Sequence, residues 1–431
     1  MKTLRYAAFY YVKIVFLSGV MMLFLQVDMG IARAGQSDLV AVIEVSSQGR
    51  DYRNAIAMVD IPGNIMTWRP LQLIDMETGR FVPVQVENGD ENNSARLWFV
   101  IDEEIPAQAT RRYELYYGNP VNTRKISLYM DDIGVRFLRG GNVMFQYNHS
   151  HVKPPVDIDP KFIRSGYIHP VYSPSGLLVT EDFPDDHLHH KGVWFPWTRT
   201  QFEGRDIDFW NLGKGEGTVQ FAGFEKMHIG PVFSGFRARH EFVDLTQPNG
   251  GKVALNEYWD VRVWNSDDTY YLWDLTSTQW TATDSPLKLL EHRYGGLGFR
   301  GAVQWDGDNH LILTSEGHTK VDGHTQRSRW IAHSGEILGG EWATVIILAH
   351  PVNKRSPESM RIWESNRPPS RPTGAFFNYT PVQLGDWTLE PGNAYQFRYR
   401  FLIYDGKIDA ELAEQMWQQF AYPIQAEIQV E

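Results

Sequence analysis

Tyr258-Trp259-Asp260-Val261-Arg262-Val263-Trp264 alternates apolar and polar side chains, and short runs of this kind recur along most of the chain. Alternation with a period of two places successive side chains on opposite faces of a strand. Tyr270-Tyr271-Leu272-Trp273-Asp274-Leu275 and Ala343-Thr344-Val345-Ile346-Ile347-Leu348 are further aromatic or β-branched runs. Helical periods are almost absent, so a chain like this must bury its apolar side chains as sheets. The predicted fold class is all-β.

Two textures divide it. Residues 38–120 carry short alternating runs, among them Val40-Ala41-Val42-Ile43-Glu44-Val45, Leu97-Trp98-Phe99-Val100-Ile101 and Tyr113-Glu114-Leu115-Tyr116-Tyr117. A polar turn, Asn88-Gly89-Asp90-Glu91-Asn92-Asn93, interrupts them, and Gly118-Asn119-Pro120 ends the series. This predicts a small β-barrel or sandwich. Residues 125–406 predict one large antiparallel, supersandwich-like β-sandwich. Residues 407–431 predict a short C-terminal helix and a tail, because Leu412, Met416, Trp417 and Phe420 form one stripe at helical spacing. Pro368-Pro369-Ser370-Arg371-Pro372 has the composition of a surface loop.

Residues 1–34 read as a secretory signal. Lys2, Arg5 and Lys13 precede an apolar run over 14–27, and Ala32-Arg33-Ala34 offers small residues for cleavage. The run is shorter than the roughly 20 residues that a bilayer crossing needs. The expected location is periplasmic or secreted, with no membrane span after cleavage; retention as an uncleaved N-terminal anchor is the alternative. The chain has no cysteine, which excludes disulfides, a thiolate nucleophile and Cys-ligated zinc. The leader holds Lys2, Arg5, Lys13 and Arg33 against Asp28, so its removal takes the formal charge from −11 to −14. Such an acidic chain has no electrostatic case for nucleic acid. Its 15 Trp, 20 Tyr and 23 Phe suit both a large β core and stacking on sugar faces.

The densest chemistry lies in Asp185-Asp186-His187-Leu188-His189-His190-Lys191-Gly192-Val193-Trp194. Imidazole exchanges a proton near neutral pH, so it serves as general acid or base. In an extended segment Asp186, Leu188 and His190 would share one face, and His187 and His189 the other. His187 and His189 could then hold one divalent metal with a third ligand; otherwise one histidine faces the substrate, Asp186 fixes the tautomer of another and no cofactor is needed, or the segment is a polar turn whose histidines only cap and bridge. Downstream, Gly204-Arg205-Asp206-Ile207-Asp208-Phe209-Trp210-Asn211 sets charged groups beside Trp210, as a sugar subsite or a hairpin with a buried ring would. Ser315-Glu316-Gly317-His318-Thr319, with Arg327 beyond it, offers a carboxylate partner for a histidine and a fork for a substrate carboxylate. Glu291-His292-Arg293-Tyr294-Gly295-Gly296-Leu297-Gly298-Phe299-Arg300 adds His292 and glycines that permit close backbone approach or a bulge that re-aims side chains. No serine elbow, phosphate loop or zinc helix is present.

These segments resemble a bacterial family often labelled "methane oxygenase PmoA" and otherwise of unassigned function. The resemblance also rests on Tyr172-Ser173-Pro174-Ser175-Gly176, Arg329-Trp330-Ile331-Ala332-His333-Ser334-Gly335, His350-Pro351-Val352-Asn353 and Tyr404-Asp405-Gly406. The chain departs from that pattern at Leu188, where Pro is usual, at Lys191, where Arg is usual, and ahead of Arg327, where a Trp is missing. The oxygenase name does not suit it, since a membrane copper monooxygenase needs several transmembrane helices. The resemblance implies a secreted protein of carbohydrate-degrading bacteria, with a sandwich similar to those of sugar mutarotases and polysaccharide lyases. The resulting expectation is a carbohydrate-active enzyme, hydrolase-like or lyase-like, that cleaves or isomerises a glycan. His187, His190 and Glu316 would move protons; Asp186, His189, Trp210, His318, Arg327 and His292 would hold the substrate. A non-catalytic glycan-binding protein and a metal-dependent oxidoreductase are the alternatives.

Overall fold

The computed structural model describes residues 39–89, 95–121, 123, 125–247, 250–364 and 374–430. The predicted leader, residues 90–93 of the predicted turn and the proline-rich loop lie outside the described residues. What is described is all-β, with antiparallel pairing throughout and a single α-helix.

The first strands form a two-layer sandwich rather than a closed barrel. Its five-stranded sheet runs Gln425–Val430, Leu39–Ser46, Thr110–Tyr117, Leu71–Asp75, Phe81–Val82; its three-stranded sheet runs Ala55–Ile61, Ala95–Ile101, Val84–Asn88. The alternation predicted from sequence is the cause: Ala41, Ile43 and Val45 point inward, as do Leu97, Phe99, Tyr113 and Leu115. The C-terminal segment read as a tail is thus a strand, paired to Leu39–Ser46 from Ala41↔Val430 to Ser46↔Gln425.

The large sandwich packs a nine-stranded sheet on an eight-stranded one. Within the eight-stranded sheet, Lys252–Trp264 turns Glu257, Trp259, Val261 and Val263 inward. Tyr258, Asp260 and Arg262 face outward. Trp273 stacks on Phe401 at 3.8 Å between ring centres, adding roughly 0.5–1.5 kcal/mol to the burial of both rings. One polar network runs through this core. Tyr147 meets His240 at 2.6 Å, His240 meets Glu257 at 2.9 Å, and Gln279 donates to Glu257 at 2.9 Å.

Helix Ala410–Ala421 begins at Asp409, whose carboxylate accepts from the Leu412 amide at 3.0 Å. Met416, Trp417 and Phe420 are buried against the outer face of the eight-stranded sheet, with Leu412 packed alongside. Among the described residues no helix is long and apolar enough to cross a membrane.

Candidate functional site

One row of side chains crosses four strands of the nine-stranded sheet. Ile168 pairs with Val193, Val193 with Phe299, and Phe299 with Phe377, all facing the core. Strand parity therefore sends their neighbours Tyr167, Trp194, Arg300 and Phe376 to the opposite, outer face. There Tyr167, Trp194, Trp210, Trp363 and Phe376 make a separate apolar cluster. Gly298 stands opposite Trp194, and a Cβ at Gly298 would lie 3.0 Å from three atoms of the Trp194 ring. The glycine lets that ring lie flat on the sheet, which is the close approach the sequence indicated.

The histidine segment covers this cluster as successive turns, not as a strand. The His187 amide donates to the Pro184 carbonyl at 3.0 Å, and the His190 amide to the His187 carbonyl at 2.8 Å. Face-splitting parity does not apply to turns, so the three imidazoles gather together. His190 is buried and stacks between His187 and Phe376, each at 4.7 Å. Trp363 closes over His187 at 4.8 Å, and His189 lies 5.6 Å from His187. Burial, then the neighbouring imidazoles, push His190 well below its ordinary value and His189 down to about 3. Both are neutral at neutral pH. The His187 side chain keeps 28% exposure.

Asp186 lies 3.6 Å from His187 Nδ1, an ion-pair distance, and that buried nitrogen makes no hydrogen bond among the described residues. Arg300, itself buried, fixes that carboxylate at 3.0 and 3.2 Å and holds Glu181 at 2.9 Å with its Nε. Burial alone would raise Asp186; contact with His187 and the Arg300 charge outweigh it and hold the carboxyl below its usual range. At Glu181 burial prevails over Arg300 and the carboxyl is raised. Lys191 is a structural cation: it bonds Asp182 at 2.8 Å over the Phe183 ring, and burial brings it down to about 8.

The far wall comes from residues 208–214 and 292–294. Asp208 accepts from the Trp210 and Asn211 amides at 2.9 and 2.8 Å, from Asn211 Nδ2 at 2.7 Å and from Lys214 at 2.8 Å. Asn211 also donates to the Tyr294 hydroxyl at 2.9 Å, and His292 packs on Tyr294 at 4.5 Å. Arg361 lies over Tyr294 at 4.6 Å. Burial, then Arg293, Arg199 and Arg361, bring His292 down to about 4.

Of the residues singled out in the sequence, Asp186, His187, His189, His190, Trp210 and His292 thus belong to one neighbourhood. Trp210 is 1% exposed, wedged between Trp194 at 5.0 Å and Tyr294 at 5.3 Å, so it is floor rather than a stacking surface. Glu316, His318 and Arg327 are not brought to it. Glu316 pairs with Arg329 at 3.5 Å, next to the helix residue Glu414. His318 meets Asp322 at 2.9 Å. Arg327 donates to the carbonyls of Pro357, Arg355 and Ser356 at 2.7, 3.0 and 3.3 Å, which uses its fork on backbone. Trp363, Phe376, Arg361 and Glu181 were not singled out. Arg361 and Phe376 carry only outward parity on strands whose pairing is long-range, and Glu181 and Trp363 lie outside the strands and carry no such signal. Among the described residues no three His, Asp or Glu side chains are grouped to hold a metal, and His187 with His189 gain no third ligand.

Residues 134–418 match the family of unknown function DUF6807. The chain belongs to that family. The DUF6807 match takes in every residue of the site above and leaves out the first strands of the small sandwich. An oxygenase label is no part of it. No curated protein matches the chain in sequence. Solved structures that it is similar to include an alpha-mannosidase from Enterococcus faecalis V583, with a TM-score of 0.45, 9% identity, and 90% of this chain and 46% of that one covered. A mutant of heparan sulfate lyase HepC from Pedobacter heparinus follows at 0.34, 9%, 68% and 38%. The alpha-galactosidase from Lactobacillus brevis stands at 0.31, 11%, 69% and 42%. The chain spans less than half the length of each, and likeness at this level carries no argument about activity.

Proposed function

We propose that this DUF6807 protein is an exported enzyme that cleaves or isomerises a glycan by acid–base chemistry at His187. The observation that carries the reading is the Asp186–His187 pair, locked by Arg300 and left partly exposed at the edge of an aromatic cluster. The charge of Asp186, 3.6 Å from Nδ1, favours the tautomer protonated there without a hydrogen bond between them, which leaves Nε2 to accept a proton from substrate. His189 and His190 stay neutral and add no competing cation. His187, once protonated, returns the proton to a leaving oxygen or to the neighbouring carbon, so one residue covers both halves of an elimination or of a 1,2-isomerisation. The charge of Arg199, Arg293 and Arg361 around His292 suits a sugar that bears a carboxylate. Glu316 has no part in this scheme, since its carboxylate is engaged by Arg329.

The test is a panel of neutral and uronate-containing glycans, with and without chelator. Uronate glycans are expected to turn over, with chelator making no difference. His187→Ala and Asp186→Asn should each lose about 10²–10⁴-fold in kcat while keeping the wild-type far-ultraviolet spectrum. Full turnover in His187→Ala would refute the assignment, and loss of activity on chelation would favour a metal-dependent reaction.

A further inference from the structure

A cavity of about 580 Å³ lies far from the histidine cluster, between the small sandwich and the outer face of the eight-stranded sheet. Strands Ala55–Ile61 and Ala95–Ile101 form one wall, and the outward residues of Lys252–Trp264, Tyr270–Thr281 and Tyr395–Asp405 form the other. The helix end, at Gln419 and Phe420, closes it. The same sheet face is apolar next door, where Leu272, Ile346 and Leu402 pack under the helix. Under the cavity it is rich in arginine instead.

The polar groups on these walls are matched except on one side. Arg96 pairs with Asp60 at 3.3 Å, Arg237 with Asp260 at 2.8 Å, Arg262 with Glu87 at 2.6 Å, and Arg400 with Asp274 at 2.6 Å. These pairs engage the three lining aspartates, Asp60, Asp260 and Asp274. Arg398 stands on the same strand as Arg400, two residues away and therefore on the same face. Its guanidinium makes no hydrogen bond or ion pair among the described residues; only its backbone is bonded, to Asn353 and His350. Gln419 is 8% exposed, and its Nε2 has no hydrogen-bond partner among the described residues. Both unmet groups are donors, and the lining carboxylates are engaged by other arginines. Trp98 adds an aromatic ring to the lining. The volume falls in the range of small-molecule sites, roughly 300–1,000 Å³, and exceeds what a bare ion needs.

We infer that this cavity binds a small organic oxyanion of about sugar size, its carboxylate or sulfate held by Arg398 with Gln419 as a second donor. The site is independent of the histidine cluster. Calorimetric titration of the full chain with glucuronate, glucose 6-sulfate, glucose and inorganic sulfate tests it. One or both sugar anions should bind at least tenfold more tightly than glucose and than inorganic sulfate. Arg398→Gln should weaken that binding by tenfold or more, and Gln419→Leu by a smaller factor. His187→Ala should leave it unchanged, which separates this site from the proposed catalytic one. Gln419→Leu alone serves if Arg398→Gln fails to fold. Equal affinity for glucose, equal affinity for inorganic sulfate, absence of anion binding, or wild-type affinity in the variants that fold would each overturn the inference.

Discussion

Arg300→Met tests the electrostatic frame of the site directly. Arg300 is buried and is held by two carboxylates, Glu181 at 2.9 Å and Asp186 at 3.0 Å. Met keeps contact with the Trp363 ring, over which the guanidinium sits at 5.0 Å, so little packing is lost. Breaking a fully buried pair costs about 3–5 kcal/mol. The Glu181 and Asp186 side chains keep 17% and 24% exposure, which discounts this to about 2–3 kcal/mol. Unfolding entropy of about 2.1 cal/mol/K per residue over the roughly 390 residues from Leu39 onward gives about 0.8 kcal/mol/K. The expected drop in Tm at pH 7 is therefore about 3 °C. Its pH dependence carries the decisive sign. Without Arg300, burial raises Glu181 further above its unfolded value near 4, and Asp186 rises while His187 still opposes its burial. The penalty is thus full above the raised values and disappears as pH falls through them towards about 4. Denaturant unfolding at pH 7 and at pH 4 measures it. A loss of equal size at both pH values would mean that packing, not charge, is what Arg300 supplies.

Trp210→Ala should cost about 3–5 kcal/mol in denaturant unfolding, as deletion of a buried ring does; a ring serving only to stack on sugar would leave stability near wild type. Gly298→Ala should cost about 1–3 kcal/mol, because its Cβ would press the Trp194 ring at 3.0 Å, and it should lower turnover through the Trp194–His190 contact at 5.2 Å. Burial raises Asp208, but its hydrogen bonds to Asn211 and Lys214 prevail and hold it below the usual carboxylate range. The stability it gives is present above its unfolded value near 3.9 and lost as pH falls through the lower folded value. Asp208→Asn should therefore cost about 2 kcal/mol at neutral pH, with the difference from wild type closing in acid-unfolding profiles as pH falls below the unfolded value.

Strand alternation was legible in the sequence because it is local: Trp259, Val261 and Val263 face the core as their spacing indicates. The helix was legible for the same reason, since Met416, Trp417 and Phe420 lie within two turns of one another. The partner of the last strand was not. Residues 425–430 alternate only weakly, and what fixes them is an edge of a sheet some 380 residues earlier in the chain. Sequence distance of that size leaves no periodic trace.

At the site, composition found the histidines and local geometry then rearranged them. Extended parity would have parted His187 from His190, but Pro184 sits at the start of consecutive turns, and a turn sets spacing by its own hydrogen bonds rather than by alternation. Pro184-Asp185-Asp186 is the local turn signal, and it favours the polar-turn alternative over the extended one. Glu316 and Arg327 were assigned by residue type alone, and residue type does not reveal that Arg329 and a row of carbonyls already engage them. Arg300, by contrast, closes the ring of contacts through a register. Its pairing with Phe376, and that of Phe299 with Phe377, place one cation and one aromatic ring side by side on the outer face, under the turn that carries Asp186. A one-residue slip in that ladder would exchange Arg300 for Phe299 on the outer face and leave Asp186 without its partner. The site therefore depends on the register of a four-strand row as much as on its histidines, and substitutions along Ile168, Val193, Phe299 and Phe377 should affect turnover without touching substrate.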